Sequence, residues 1–578
     1  MLTSALYSSF AGIRNTESKI SVTADNVANA DKPGYTRKEY ETSYAATVGR
    51  TLPSSGTIAT VDYNPFLLEA MIEDISIASK NSLLSDYRTA YANELGFTDG
   101  DNSASAYLND IITGLDRLAL TPEDDSLKSQ VVFASQRLAN ELNRISVSIQ
   151  DSRLQADEEI EALVVEINNR LERIDDLNQN ITFARTTGVT TANLEDDRRV
   201  ELEALSELID INYFTNQDGE IQIYTQGRPL LDSRAHTITY TANTALDKNT
   251  LYPAGFNAID LDGFDLTPVV SSGKLGALIE VRDDFMVEEQ AKLDEFANVL
   301  IREMNEVLNE GASIPPRQTM IGSLNGLNVG TPLGATGSVR IATVDANGIV
   351  QNFTDINLAP LLDVGDLIAA INGALGPDVT AGISPDNEFQ IVANNAGEGL
   401  AINELTSSLL PDGENFSDYF GLNNLFDGDG ADNITVSEYL TSDTAALATS
   451  RLTGGVLAIG DTGLFVGDSS LTQDMNNAFG STYSFNAAGN FAGQTELIDN
   501  YIDKIIADAA FRANDAATDA EIGQALVNQT RTTLTNLSGV NIDEEMTTLI
   551  DLEARYEASA TLLATIQDMF DTLISAVR

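Results

Sequence analysis

Asn26-Val27-Ala28-Asn29-Ala30-Asp31-Lys32-Pro33-Gly34-Tyr35-Thr36-Arg37 closes an N-terminal segment in which Leu6, Ile13, Ile20 and Val27 recur every seven residues. Pro33 denies the residue before it a helical conformation and Gly34 supplies a turn, so the first helix is expected to end abruptly here. The far end of the chain mirrors it. Ile542, Leu549, Tyr556, Leu563, Phe570 and Val577 recur at the same interval in one uninterrupted run. That run exceeds the ~11–12 residues of an ordinary globular helix. Two seams of this kind predict terminal helices that pair in a coiled-coil-like core, with Leu6, Ile13 and Ile20 against Leu563, Phe570 and Val577, and that associate with further copies of the chain. A lone helix cannot bury such a seam, so the terminal segments are expected to fold on assembly.

Between the ends, a periodic stretch from Phe66 to Leu95 has an apolar side of Leu67, Met71, Ile75 and Ile77. Thr121-Pro122-Glu123-Asp124 reads as a helix start, with Thr121 as cap, proline at the first position and acids in the first turn. Ile160, Ile167, Ile174 and Ile181, supported by Val164 and Leu171, form another seven-residue series, better read as an ordinary buried helix face. Gly188 interrupts it, and 193–209 reads as a further helix. From Ile211 the texture changes. Ile221 and Ile223 after Asp218-Gly219 suggest a short strand behind a tight turn. From 311 to 470 the helical period is largely lost. There Val339–Val344, Asp345-Ala346-Asn347-Gly348 and Ile349-Val350 signal a hairpin, and Phe389–Val392 another strand. Helical texture resumes near Thr495. The expected fold is multidomain α+β: residues 1–45 with 536–578 as a terminal coiled-coil domain, 46–310 with 471–535 as a mainly helical domain, and 311–470 as an inserted β-rich domain.

The chain's 578 residues are too many for one core. It has no Cys and a single His, which removes disulfides, thiolate metal sites and thiol nucleophiles together. Its formal net charge of −54 repels phosphate backbones and anionic membranes, so neither nucleic acid binding nor membrane insertion is expected. Met1–Ser9 lacks the basic start, apolar run and cleavage site of a signal peptide, so the protein is expected to stay in the cytoplasm or leave by a route needing no cleaved signal. Gly273-Lys274 lacks the spaced glycines of a phosphate loop. His236 has no triad pattern around it. Asp427-Gly428-Asp429 opens a frame with Glu438 at its twelfth position, but Ala431 and Asp432 stand at the fifth and sixth and break the calcium-loop pattern. No catalytic residue, cofactor or metal ligand is assigned.

Asp25–Tyr35 resembles the rod and hook signature of the bacterial flagellar axial proteins, an Asn-Asn-(Ile/Val)-Ala-Asn run ending in Thr-Pro-Gly-(Tyr/Phe). Asp25 and Lys32 depart from it, while Asn26, Asn29, Pro33, Gly34 and Tyr35 match. Tyr35-Thr36-Arg37 is similar to the hook-associated branch, as are Ser538–Glu545, Tyr556–Ala560, Phe570–Leu573, Leu194–Arg199 leading to Leu205–Leu208, and Phe416–Asn423. The end motifs also make physical sense: Asn541 can cap the last helix, with Glu544 reaching back as a capping box.

The resemblance implies a non-enzymatic subunit joining the flagellar hook to the filament, exported unfolded and without a cleaved signal, hence extracellular. It further implies self-association in a ring or helical layer, contacts with the hook protein and with a second junction protein adjoining the filament, and an export chaperone at the C-terminal helix. The assembly interface would comprise the seam residues of both ends. Rival readings are the hook protein, which Tyr35-Thr36-Arg37 and the Ser538–Glu545 block oppose, another axial protein, and a secreted adhesin or enzyme acting through 311–470, which would need a pocket with convergent polar groups.

Overall fold

The structure is a computed structural model that describes residues 2–47, 50–60, 64–97, 100, 102–411 and 413–577. The helices are α1 (Leu2–Ala28), α2 (Pro65–Leu95), α3 (Ala104–Leu118), α4 (Asp125–Thr187), α5 (Ala192–Leu208), α6 (Gly273–Glu280), α7 (Met286–Asn309), α8 (Val364–Leu375), α9 (Phe416–Phe420), α10 (Glu438–Ser442), α11 (Ser470–Phe479), α12 (Ile498–Ser538) and α13 (Ile542–Val577). Small antiparallel sheets occupy the intervals, which makes the fold multidomain α+β.

The chain groups into two compact units. The first comprises Met1–Tyr87, Leu154–Asp283 and Asn514–Arg578, the second Arg88–Arg153 and Asp284–Ala513. Each unit takes part of 46–310 and part of 471–535, whereas the three-part division expected from sequence is a proposal about which parts fold alone.

In the first unit, α1 and α13 lie side by side. Gly12 faces Ser559, and the Asn26 side chain reaches Glu545. Fourteen residues separate each pair on both helices, so they run antiparallel in constant register. That register sets Leu6 level with the Leu563–Ile566 turn and Ile20 level with Leu552. Phe570 and Val577 fall beyond the start of α1, which corrects the pairing expected from the shared period. A seven-residue repeat fixes which face is apolar but not the axial offset of two helices.

The C-terminal half of α4 buries Ile160, Val164, Ile167, Leu171, Ile174 and Ile181 almost completely, the ordinary core face expected of that series. On α2, Leu68, Met71, Ile72 and Ile75 are buried, while Ile77 is 43% exposed. A side chain two positions from Ile75 points some 200° round a helix and misses the core stripe. Gly523 of α12 packs over Ala78, where a Cβ would come within 3.1 Å of the Ala78 Cα, and Thr530 donates to Asp74 at 2.8 Å. A hairpin of Lys38–Thr47 and Arg50–Thr60 directly follows the motif; the sequence reading missed it.

In the second unit, α4 begins at Asp125 rather than at Pro122. The cap is Asp124, whose Oδ1 accepts from the Ser126 and Leu127 amides at 2.8 and 3.3 Å. A carboxylate one residue before the apolar run satisfies the first free amides, and Thr121 is left to close the preceding turn. A network of Glu289, Lys292, Asp508 and Arg512 ties α7 to α12, with Lys292 Nζ 2.8 and 2.9 Å from its two carboxylates.

The 311–470 region has cores of its own. One cluster is built entirely from residues between Met320 and Leu422, under the sheet of 338–345, 350–357 and 398–403, the sheet of 319–321, 379–383 and 389–393, and α8. A smaller one gathers Ala312, Val344, Val350, Leu452 and Leu464. The expected hairpin is present, with Gly348 at φ 78° in its turn. The region's two ends meet. Gly311 packs against Leu471, and Arg451 bridges Glu310 on α7 and Asp474 on α11.

Candidate functional site

Asn26 sits in the last turn of α1 with only 1% of its surface exposed. Its side-chain amide acts as a strand partner for Lys38: Nδ2 donates to the Lys38 carbonyl at 2.9 Å, and Oδ1 accepts from the Lys38 amide at 3.0 Å. The chain between them turns through Lys32-Pro33-Gly34-Tyr35. The Tyr35 amide donates to the Lys32 carbonyl at 3.1 Å, Pro33 fixes the first corner, and Gly34 takes φ 75° at the second. A Cβ at Gly34 would also lie 2.3 Å from Val200 Cγ2. Asn29 closes the helix end by donating from Nδ2 to the Asp25 carbonyl at 2.8 Å.

The motif is held from two sides. On one side stands the start of α13. Glu545, 2% exposed, accepts from Asn26 Nδ2 at 3.0 Å and from Arg37 Nε at 2.7 Å. The Arg37 amide donates to the Ser538 carbonyl at 2.8 Å, which fixes the loop between α12 and α13. Asn541 caps α13, accepting from the Asp543 amide at 3.1 Å, whereas Glu544 is exposed.

On the other side is α5. Asp196 accepts from the Thr36 amide at 3.2 Å and from the Thr36 hydroxyl at 2.5 Å, and its Oδ2 lies 3.2 Å from Lys38 Nζ. Lys38 Nζ also donates to Asn193 Oδ1 and sits 3.8 Å from the centre of the Tyr35 ring. Arg199 donates to the Gly34 carbonyl. A shallow cleft of about 400 Å³ opens beside Pro33, Gly34 and Tyr35, walled by Arg173, Asp176, Asp197 and Val200.

Burial shapes the electrostatics. The Tyr35 hydroxyl is pushed up to about 12, first by desolvation and then by Asp25, Asp196 and Glu545. It stays protonated and donates to Asn26 Oδ1 at 3.0 Å. Desolvation lowers Lys38, and Asp196 works against that. The hydrogen bond to Glu545 raises Arg37 further. The arrangement locks one end of the chain to the other and both to α5.

Three stretches far apart in sequence therefore meet at one place: Asn26–Lys38, Asn193–Arg199 and Ser538–Glu545. Of the motif residues, Asn26, Gly34, Tyr35 and Arg37 make these contacts, Pro33 shapes the turn and Asn29 ends the helix. Lys38, Asp196 and Glu545 were missed as site residues. In so acidic a chain a lone Asp or Glu carries no signal, and only the resemblance of 194–199 and 538–545 covered Asp196 and Glu545, while Lys38 lay outside every resembling stretch.

Among the seam residues, Leu6, Ile13, Ile20, Val27, Leu549, Leu563 and Phe570 are half-buried, Ile542 and Tyr556 are exposed, and the Val577 side chain lies outside the described residues. The most buried apolar residues of the pair are Val22, Leu552 and Ile566, at 4–7% exposure. Ile550, Leu562, Met569, Leu573 and Ile574 on α13, and Tyr7 and Phe10 on α1, are half-exposed or more.

Away from this site, His236 lies between Asp262 and Asp232, at 2.6 and 3.2 Å, and ties two surface turns. The loop after Asp427 is closed by Asn433, which accepts from the Asp429 and Gly430 amides at 3.0 Å. Among the described residues no cluster of His, Cys, Asp or Glu could hold a metal ion, and no helix is long and apolar enough to cross a membrane.

Comparison with known proteins gives the class. Residues 94–319 match the family described as the flagellar hook-associated protein FlgK helical domain, and 535–576 match the C-terminal domain of the flagellar basal body rod FlgEFG proteins. Flagellar hook-associated protein 1 of Escherichia coli (strain K12) is 21% identical over 604 residues, covering 99% of this chain and 100% of that protein. The same-named protein of Bacillus subtilis (strain 168) is 26% identical over 215 residues, covering 35% of this chain and 42% of that protein. The solved flagellar hook junction protein FlgK from Burkholderia pseudomallei shares the fold, with a TM-score of 0.50 at 13% identity, covering 81% of this chain and 99% of that one. These matches place the chain's likeness among the flagellar axial proteins. Within that class it is similar along nearly its whole length to hook-associated protein 1.

Proposed function

We propose that this chain is a structural subunit of the bacterial flagellum that joins the hook to the filament. The observation that carries this reading is the match along essentially the whole chain to hook-associated protein 1, combined with the convergence of both chain ends on one buried clasp. The reading extends to assembly through α1 and α13, whose exposed apolar residues suit burial against neighbouring copies in a ring or helical layer. Its neighbours in the axis would be the hook protein on one side and a second junction protein on the other. An export chaperone would cover the apolar face of α13 before assembly. The chain would reach the cell exterior without a cleaved signal, and no catalytic step is assigned to it.

Deleting the gene and imaging the cells tests this reading. Hooks without filaments are the expected result. Cells that still carry filaments of normal number and length would refute it.

A further inference from the structure

The contacts around Lys38 contain more than an ion pair. A buried lysine amine, a carboxamide hydrogen-bonded to it and a buried carboxylate beside it are the three groups needed to form an amide between two side chains. Lys38 is 6% exposed, as is Asp196, whose Oδ2 stands 3.2 Å from Nζ. The Asn193 carboxamide receives the hydrogen bond from the same Nζ. The Tyr35 ring covers the amine from a third direction, at 3.8 Å.

We propose that Lys38 and Asn193 become joined by an isopeptide bond, with Asp196 carrying the protons. The balance is closed. Asp196 takes a proton from the Lys38 ammonium, which frees the nitrogen lone pair. Nζ attacks Cγ of Asn193 and a Nζ–Cγ bond forms. The Cγ–Nδ2 bond breaks, and the proton on Asp196 passes to the departing nitrogen, which leaves as one molecule of ammonia. Asp196 then takes the second proton from Nζ, leaving a neutral amide and a protonated Asp196 that gives its proton to solvent. No oxidant, reductant or cofactor is consumed.

Two features suit the site to this step. Burial already lowers the Lys38 ammonium, so transfer of its proton to the adjacent carboxylate is eased. Asn193 keeps part of its surface exposed, which gives ammonia a way out and makes the reverse step rare. The consequence is mechanical. The chain has no cysteine, so disulfides cannot brace it. A bond between the residue that follows the motif and α5 would fasten the N-terminal segment to the body of its unit covalently. The inference rests on these contacts within one chain and is independent of the junction reading.

The test is the mass of the full-length chain, isolated from cells bearing assembled flagella, denatured and weighed intact. The expected mass is lower than the encoded one by one ammonia, with a branched tryptic peptide linking Lys38 to Asn193. Asn193→Ala, which leaves the Lys38–Asp196 pair in place, is expected to restore the encoded mass for its own sequence and a free Lys38 amine. Asp196→Ala should do the same, and should it misfold, Asn193→Ala still decides. Wild-type protein at the encoded mass with Lys38 free for acetylation after denaturation overturns the proposal. So does an ammonia deficit that persists in Asn193→Ala, since the loss would then arise elsewhere.

Discussion

Glu545 shows how much one side chain does here. It faces Asn26 on α1 and Arg37 beyond the turn, and it is almost wholly buried, so its removal strands two donors. Glu545→Ala is expected to cost about 1–3 kcal/mol of stability, the range for leaving a buried hydrogen-bonding partner unsatisfied. Glu544→Ala, at the exposed neighbour, should stay within about 0.5 kcal/mol. Thermal unfolding of the two purified variants checks this, and equal midpoints would mean the clasp does not hold the termini together. Gly34→Ala should destabilise as well, by about 1–3 kcal/mol, because both its backbone angle and Val200 exclude a Cβ.

Asp418 in the second unit sets a pH dependence. Its carboxyl is pushed up to about 7 by burial and then by Glu414, Glu306 and Glu404, against the hydrogen bond from Asn309. Glu306 and Glu404 are raised by burial too. A carboxyl raised in the folded state favours folding at low pH and loses that contribution as pH rises through its folded value. The second unit should therefore be more stable at pH 6 than at pH 8. Asp418→Asn keeps an oxygen for Asn309 and should flatten the difference. An unchanged pH slope in that variant would remove Asp418 as the cause.

At the scale of the element, α13 carries two kinds of apolar residue. Leu552 and Ile566 are buried within the chain itself, while Ile550, Met569 and Leu573 are at least half exposed. An aspartate at Ile566 should unfold the α1–α13 pair, because an unpaired carboxylate would be left in an apolar contact. An aspartate at Met569 or Leu573 should leave the soluble chain folded and yet prevent it from joining hook to filament. Circular dichroism of the purified chain and filament counts on cells separate these outcomes. Assembly at wild-type levels by the Leu573→Asp variant would show that this face is not shared between copies. The half-buried seam positions Leu563 and Phe570 lie between these extremes, and substitution there is expected to damage both fold and assembly.

At the scale of the whole molecule, 311–470 has a closed core and ends that meet at Gly311 and Leu471. Excising it between Glu310 and Leu471 should leave helices able to assemble. The remainder should be less stable, since Asn305 and Asn309 of α7 lose their partners at Phe426, Asp418 and Asn424. Circular dichroism of assembled material measures this. A collapse of helix content, rather than a lowered midpoint, would show that the region cannot be separated from the helical body.

Period and turn chemistry are local properties, and they alone determined much of this protein. The seven-residue series forecast helices at both ends and the buried face of α4. The Pro33-Gly34 corner, the hairpin at Gly348 and the strand at Phe389 followed from backbone preferences of a few residues. The resemblance of three distant stretches pointed to the flagellar axial proteins. Their convergence was decided only by tertiary structure, because sequence distance says nothing about which carboxylates of so acidic a chain face inward. The same holds for the axial offset of α1 and α13. A repeat is nearly degenerate under a shift of one heptad, and the contacts of Asn26 and Arg37 with Glu545 remove that degeneracy, since a buried charge tolerates one partner geometry.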